Sequence, residues 1–178
     1  GFSVLILAAG KATRFKSQHS KMLHRVAGRP LGVYALEAAL AAGPERTIMV
    51  IGHEAEQVRE ALSRPEVSFI EQKEQLGTGH ALMISSRELE RSPSSSIVVL
   101  VGDAPLLQAE TLRALVDHHD KTKAAATILT TRVDDPRGYG RIVKGAGGRV
   151  RAIVEEKVCT PAQKNIRDIS SGILCFSR

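Results

Sequence analysis

The amino-acid sequence predicts an α/β fold in which a mostly parallel sheet is joined to a mixed β lobe. Two observations carry this. Short runs rich in Val and Ile alternate with helix-spaced segments through the first two-thirds of the chain, and strand-like segments then crowd together after Ala124. The 178 residues can bury one sizeable core, and 43% hydrophobic with 25% charged residues is ordinary for a soluble globular protein.

Taken in order, Val4–Leu7, Thr47–Ile51, Val67–Ile70 and Ile97–Val101 read as strands, continuously apolar as strands buried on both faces must be. Pro30 to Ala42 reads as a helix with proline in its first turn, ended by Gly43-Pro44. Glu54–Leu62 and Gly79–Leu89 have helical spacing. Gln108–Lys121 places Leu112, Leu115 and Val116 on one face. Beyond Ala124 the expected strands are Ala124–Thr131, Gly140–Lys144 and Arg149–Glu155, with Gly145-Ala146-Gly147-Gly148 as a hairpin connection. A short helix over Thr160–Ile166 and a final strand, Gly172–Phe176, complete the reading.

The segment VLILAAGKATRFKSQHSK, Val4 to Lys21, holds the strongest chemical signal. Its apolar strand breaks into Ala8, Ala9 and Gly10, where a backbone can approach a ligand. Lys11, Arg14, Lys16 and Lys21 follow, a grouping suited to a strongly anionic ligand. The alternative is a strand, a loop and solvated lysines. No Gly-Lys-Ser/Thr closes the loop, so it is not a Walker A motif, and Gly10 lacks the further glycines of a dinucleotide fingerprint.

Asp103 follows Ile97–Val101 in VGDAPLL, where a carboxylate at a strand's carboxyl end can hold Mg²⁺. An Asp opening a turn before Pro105 accounts for it equally well. In QKEQLGTGHA, Gly77-Thr78-Gly79 stands where a strand hands over to a helix, and the Gln72 amide can read a nucleobase edge. Ordinary capping by Thr78 is the alternative. Gly138-Tyr139-Gly140-Arg141 is a second flexible backbone patch, and Glu155 can accept hydroxyl protons from a sugar. The adjacent His118 and His119 diverge by about 100° on a helix and cannot chelate one ion, so both read as surface or partly packed. His80 reads as packed in its helix.

Net charge is +6, which raises nucleic acid as a partner. There is no Trp, and Phe and Tyr are too sparse for a base-stacking platform, so a small polyanionic substrate fits better. No apolar run is long enough to span a bilayer, and the N-terminus shows no signal-peptide pattern. Cys159 and Cys175 form no metal-binding spacing and suit reduced thiols, so the expected location is cytoplasmic.

The ordered set LAAGKATR, Lys21, EQLGTGHA, VGDAPLL, DDPRGYGRI and IVEEK resembles the uridyltransferase domain of the bacterial bifunctional N-acetylglucosamine-1-phosphate uridyltransferase/glucosamine-1-phosphate acetyltransferases. The resemblance covers essentially the whole chain and implies a Rossmann-like nucleotidyltransferase domain over residues 1–178, cut short at its C-terminal end. It implies transfer of a uridylyl group from UTP to N-acetylglucosamine 1-phosphate, with Mg²⁺ as cofactor, in a role in peptidoglycan and cell-wall biogenesis. Leu7, Ala8, Ala9, Gly10, Gln72, Gly77 and Thr78 would bind the nucleotide. Arg14 and Lys21 would be catalytic, and Asp103 a metal ligand. Gly140, Glu155 and Ser170 would contact the sugar. The pattern departs at Ala12 (glycine in the family), Ser20 (proline) and Ser170 (asparagine). The family's second Mg²⁺ ligand and its β-helix domain fall outside the chain, which leaves any oligomer contacts to segments not present here. Other readings are a sibling nucleotidyltransferase with another base or sugar, a catalytically silent nucleotide-sugar-binding domain, and a nucleic-acid-binding module.

Overall fold

The computed structural model describes residues 1–10 and 17–178, which form two compact units. The first comprises Gly1–Thr127 and Leu174–Arg178, the second Ile128–Ile173.

At the centre of the first unit runs β1 (Phe2–Ala8), whose Val4, Leu5 and Ile6 are fully buried although they point to alternate faces. A pair of two-residue strands follows, β2 (Arg25–Val26) and β3 (Arg29–Pro30), joined through Ala27 and Gly28 at φ 47° and 79°. Two successive positive φ angles are what a two-residue hairpin requires. Next come α1 (Leu31–Ala41), β4 (Arg46–Ile51), α2 (Ala55–Leu62), β5 (Val67–Glu71), α3 (Thr78–Glu90), β6 (Ser96–Val101) and α4 (Ala109–Thr122). The strands pair in parallel in the order β5-β4-β1-β6, with Leu5 opposite both Ile48 and Val99. Leu174–Ser177 then runs antiparallel to β6, with Cys175 opposite Val98.

Burial of β1 on both faces needs helices on both sides. On one, Ala81 and Leu89 of α3 pack against Leu5, Ile48, Val50 and Val99. Outside that cluster, α1 contacts β1 and α4, and α4 contacts β6. The helices begin close to their expected positions. Pro30 caps α1 from outside rather than sitting in its first turn. Thr78 is the first helical residue of α3, and Gly77, at φ 94°, takes the capping position with no side-chain bond, so capping by Thr78 does not occur. On α4, Leu112, Leu115 and Val116 are buried as their spacing predicts. His119 is buried too, contrary to the expectation for this pair. Its ring nitrogens contact the hydroxyls of Thr127 (2.8 Å) and Ser177 (3.1 Å), which satisfy the imidazole inside the core.

The second unit is antiparallel. It holds β7 (Ala126–Arg132) from Ile128 onward, β8 (Arg141–Lys144), β9 (Val150–Val154), the four-residue α5 (Pro161–Lys164) and β10 (Asp168–Ser177) as far as Ile173. β8 and β9 form the expected hairpin, closed where the Gly145 N–H donates to the Arg149 carbonyl at 2.8 Å. Ile169 of β10 stands opposite Arg141, and β7 pairs with β10. Thr160 and Gln163 form a capping box at α5, so this helix is shorter than Thr160–Ile166. Strand β10 starts earlier than expected, at Asp168. No helix among the described residues is long and apolar enough to cross a membrane.

Candidate functional site

At the carboxyl ends of β1, β5 and β6 the first unit opens into a cleft of about 370 Å³. Ligands of open α/β sheets bind at this edge because the strands end there together and the following loops diverge. Leu7 and Ala8 close β1, and Ala9-Gly10 turns away from it. Gln72 follows β5, Gly77-Thr78 opens α3, and Asp103 follows β6. Small residues hold the ends close. A Cβ on Gly52 would come within 3.0 Å of the Ala9 and Gln72 carbonyls, and one on Gly102 within 2.8 Å of the Met22 sulfur. The Gly102 N–H donates to the Leu7 carbonyl at 2.9 Å, which carries Asp103 beside the end of β1.

Two polar groupings line this cleft. Lys21 Nζ donates to Asp103 Oδ2 at 2.6 Å, with the lysine side chain 23% and the aspartate 33% exposed. Gln72 is nearly buried, and its Nε2 lies 3.2 Å from the Gly77 carbonyl and 2.9 Å from His80 Nδ1. The first backbone N–H groups of α3, left without a side-chain cap, are donors suited to an anionic or polar ligand.

The turn carrying Lys21 is fixed from below. Lys21–Leu23 forms a single 3-10 turn whose Met22 N–H donates to Ser20 Oγ at 3.4 Å. The Ser20 N–H donates to the Glu54 carboxylate, which also meets His19 Nδ1 at 3.1 Å, while His53 Nε2 donates to the Gln18 carbonyl at 2.6 Å. Glu54 sits at φ 53°, a left-handed backbone unusual for a residue with a side chain, and this turns its carboxylate back beneath the loop. The Ser20 N–H, then His19, holds the Glu54 carboxyl below the usual range.

Of the residues picked out by sequence, the cleft gathers Leu7, Ala8, Ala9, Gly10, Lys21, Gln72, Gly77, Thr78 and Asp103. Arg14 and Ala12, with Lys11 and Lys16, lie outside the described residues. Gly140, Glu155 and Ser170 belong to the second unit and converge there. The Ser170 N–H donates to the Gly140 carbonyl at 2.9 Å, and a Cβ on Gly140 would stand 3.2 Å from Glu155 Oε1. Ser170 Oγ accepts the Gly172 N–H at 3.1 Å. Arg141, 1% exposed, braces this patch, donating to the Tyr139 carbonyl and, at 2.5 Å, to Glu156.

Sequence reasoning did not single out Met22, Val50, Gln75, Ala81 or Val101, which also line the cleft. Gln75 sits inside the EQLGTGHA motif. The others are apolar: Met22 in the 3-10 turn, Val50 and Val101 near the ends of β4 and β6, and Ala81 one turn into α3; their signal was position rather than chemistry. Among the described residues no cluster of three metal-binding side chains occurs, so a cation here would rest on the Asp103 carboxylate and the substrate's own oxygens.

Residues 4–159 match the family described as the MobA-like NTP transferase domain. The chain belongs to that family. This NTP transferase domain is 46% identical over 174 residues to the bifunctional protein GlmU of Geobacter metallireducens, covering 97% of this chain and 36% of that protein. It is 47% identical to GlmU of Syntrophotalea carbinolica, covering 98% and 37%. The chain thus spans little more than a third of the length of the curated relatives it matches. In fold it is similar to a proposed glucose-1-phosphate thymidylyltransferase from Bacillus anthracis, with a TM-score of 0.79 at 19% identity, covering 99% of this chain and 72% of that one. The fold described above is therefore that of a Rossmann-like NTP transferase domain.

Proposed function

We propose that this NTP transferase domain transfers a uridylyl group from UTP to N-acetylglucosamine 1-phosphate, releasing pyrophosphate and forming UDP-N-acetylglucosamine for cell-wall synthesis. The observation that carries the reading is the convergence of Leu7–Gly10, Gln72, Gly77-Thr78, Lys21 and Asp103 in one cleft at the carboxyl end of a parallel sheet. The similarity to GlmU proteins over nearly the whole chain supports the uridine and N-acetylglucosamine assignments.

The chemistry follows from charge. A phosphate oxygen of the sugar phosphate attacks the α-phosphorus of UTP and pyrophosphate leaves, so two polyanions must be held together in line. The small-residue loop and the start of α3 take the nucleotide, and Gln72 reads the base. Lys21 offsets charge on the phosphates. The Asp103 carboxylate fits a hard cation and would hold Mg²⁺, which would supply positive charge and Lewis acidity to the phosphates. The nucleophile is already ionised at neutral pH, so the site needs no strong general base. Gly140, Glu155 and Ser170 are the proposed sugar contacts.

The test is pyrophosphate release from UTP, N-acetylglucosamine 1-phosphate and Mg²⁺, with CTP, GTP, ATP and dTTP and with glucose 1-phosphate as competitors. Release confined to the UTP and N-acetylglucosamine pair supports the reading. Faster release with another base or sugar makes the protein a sibling transferase. Nucleotide binding without release makes it a binding domain.

A further inference from the structure

Arg141 stands where β8 is paired on both sides, opposite Val154 of β9 and Ile169 of β10. One position further along each chain, Gly140, Glu155 and Ser170 form a row. The Ser170 N–H donates to the Gly140 carbonyl at 2.9 Å, and a Cβ on Gly140 would stand 3.2 Å from Glu155 Oε1. The Arg141 guanidinium reaches the two residues that flank this row. It donates to the Tyr139 carbonyl, just before Gly140, and at 2.5 Å to the Glu156 carboxylate, just after Glu155. The same Glu156 oxygen accepts the Gly138 N–H at 3.4 Å. One planar fork thus ties the entry of β8 to the exit of β9. The side chain is enclosed, and its Nε is buried without a hydrogen-bond partner among the described residues. Enclosing a guanidinium with a donor unmet is costly, and well-packed apolar residues in place of a buried ion pair are often as stable or more so. Fold stability alone is therefore a weak reason for an arginine here.

We propose that Arg141 is a positioning residue for the acceptor sugar: its fork, with Glu156, sets the spacing of Gly140 and Glu155, a role that rests on the sugar contacts assigned to this row under the proposed function. Two adjacent carboxylates then have separate tasks. Glu155 stands beside Gly140 and can take sugar hydroxyls, whereas Glu156 is occupied by Arg141 and the Gly138 N–H. Hydrogen bonds to hydroxyls are directional, so a small change in the spacing of Gly140 and Glu155 weakens them. The residues of the nucleotide cleft all belong to the first unit, so the damage should fall on the sugar substrate. A lysine would keep the charge but not the fork, since one ammonium is a point charge and does not hold two acceptors in a fixed plane. Arg141 acts through its neighbours and, being enclosed, does not itself touch the sugar.

The test measures pyrophosphate release with N-acetylglucosamine 1-phosphate and UTP varied in turn, together with the melting temperature. It compares the protein, Arg141→Lys, and the double variant Arg141→Met with Glu156→Met. The double variant removes both charges and so strands neither. The expected result is a sugar-phosphate KM raised about tenfold in both variants, with the UTP KM, kcat and melting temperature near those of the parent. A sugar-phosphate KM at the parent value in either variant overturns the inference and leaves the uridylyl-transfer reading standing. Equal rises in both KM values, or loss of the fold in both variants, also overturn it, since Arg141 would then serve the structure as a whole. If the unsubstituted protein releases no pyrophosphate from this substrate pair, the inference and the uridylyl-transfer reading fall together.

Discussion

Lys21 and Asp103, 82 positions apart, meet in an ion pair across the mouth of the cleft, Nζ to Oδ2 at 2.6 Å. The pair joins the turn after the phosphate-suited loop to the end of β6. Each side chain is a quarter to a third exposed, so water screens the attraction and breaking the pair should change folding stability by about 1 kcal/mol or less. Its value is positional. The cation and the carboxylate that would handle phosphates are already held at one point, each keeping the other in place.

Lys21→Ala is accordingly expected to spare the fold and damage the reaction. Its kcat should fall on the order of 10²-fold, the scale for losing one preorganised charge, with the melting temperature nearly unchanged. Steady-state kinetics with UTP varied would decide. A normal kcat with raised KM would reduce Lys21 to a uniform binding contact.

For Asp103→Asn the shape and one oxygen ligand stay while the charge goes. Turnover should collapse, and the Mg²⁺ concentration giving half-maximal rate should rise severalfold in whatever activity remains. Circular dichroism should match the parent protein. An unaltered Mg²⁺ dependence would leave Asp103 as a turn former before Pro105 and remove it from the proposed metal site.

The parallel strands were readable because burial on both faces forces unbroken Val/Ile runs, and each βα junction was readable from its small residues. Strand β10 was underestimated because Ser170-Ser171 resembles a loop. In fact Ser171 Oγ donates to the Leu129 carbonyl, a partner far away in sequence. The β2–β3 ribbon has two residues per strand and no buried face, so it leaves no periodic trace. His119 read as surface or partly packed because the hydroxyls that satisfy it come from Thr127 and Ser177, on β7 and β10 rather than on its own helix. The candidate site divides in the same way. Lys21, Gln72 and Asp103 were each identifiable from local context. The Lys21–Asp103 pair and the Gln72–His80 contact depend on how loops return to one edge, which spacing alone does not encode.

Acid should weaken the second unit through Glu156. Its carboxylate receives the Arg141 guanidinium foremost, and the Gly138 N–H at 3.4 Å, and these hold its pKa below the ordinary value of 4.5. A depressed carboxylate contributes stability that is complete above its unfolded-state pKa and is lost as pH falls through the folded value. The loss therefore begins below 4.5. Glu156→Gln should melt lower at neutral pH, because Arg141 stays buried with its charged partner gone, and should lose less on acidification to about pH 3. Parallel melting curves in protein and variant would show otherwise.

The two cysteines should react differently. Burial, with a smaller push from Asp120, raises the Cys175 thiol to about 12, and its side chain is fully enclosed on β10. Iodoacetamide at neutral pH should modify the partly exposed Cys159 and reach Cys175 only after denaturation. Mass spectrometry of the alkylated native protein checks this, and prompt labelling at Cys175 would mean that the strand opens readily.

Ser20 replaces the proline expected before Lys21, and the replacement has a structural consequence. Proline has no N–H, whereas the Ser20 N–H donates to Glu54 and ties down the turn that presents Lys21. Ser20 lies at φ −55°, within the range of proline, so Ser20→Pro fits the backbone and fixes the same angle by ring closure. In the parent protein Glu54→Ala should loosen the turn and lower kcat/KM about tenfold, less than the ~10²-fold of an ångström misplacement. In the Ser20→Pro background the N–H bond no longer exists, and Glu54→Ala should cost little beyond the His19 contact. The two substitutions should therefore be strongly non-additive, as residues sharing one interaction are. If Glu54→Ala has the same effect in both backgrounds, Glu54 supports the loop by some route other than Ser20, and the tether assigned to this hydrogen bond fails.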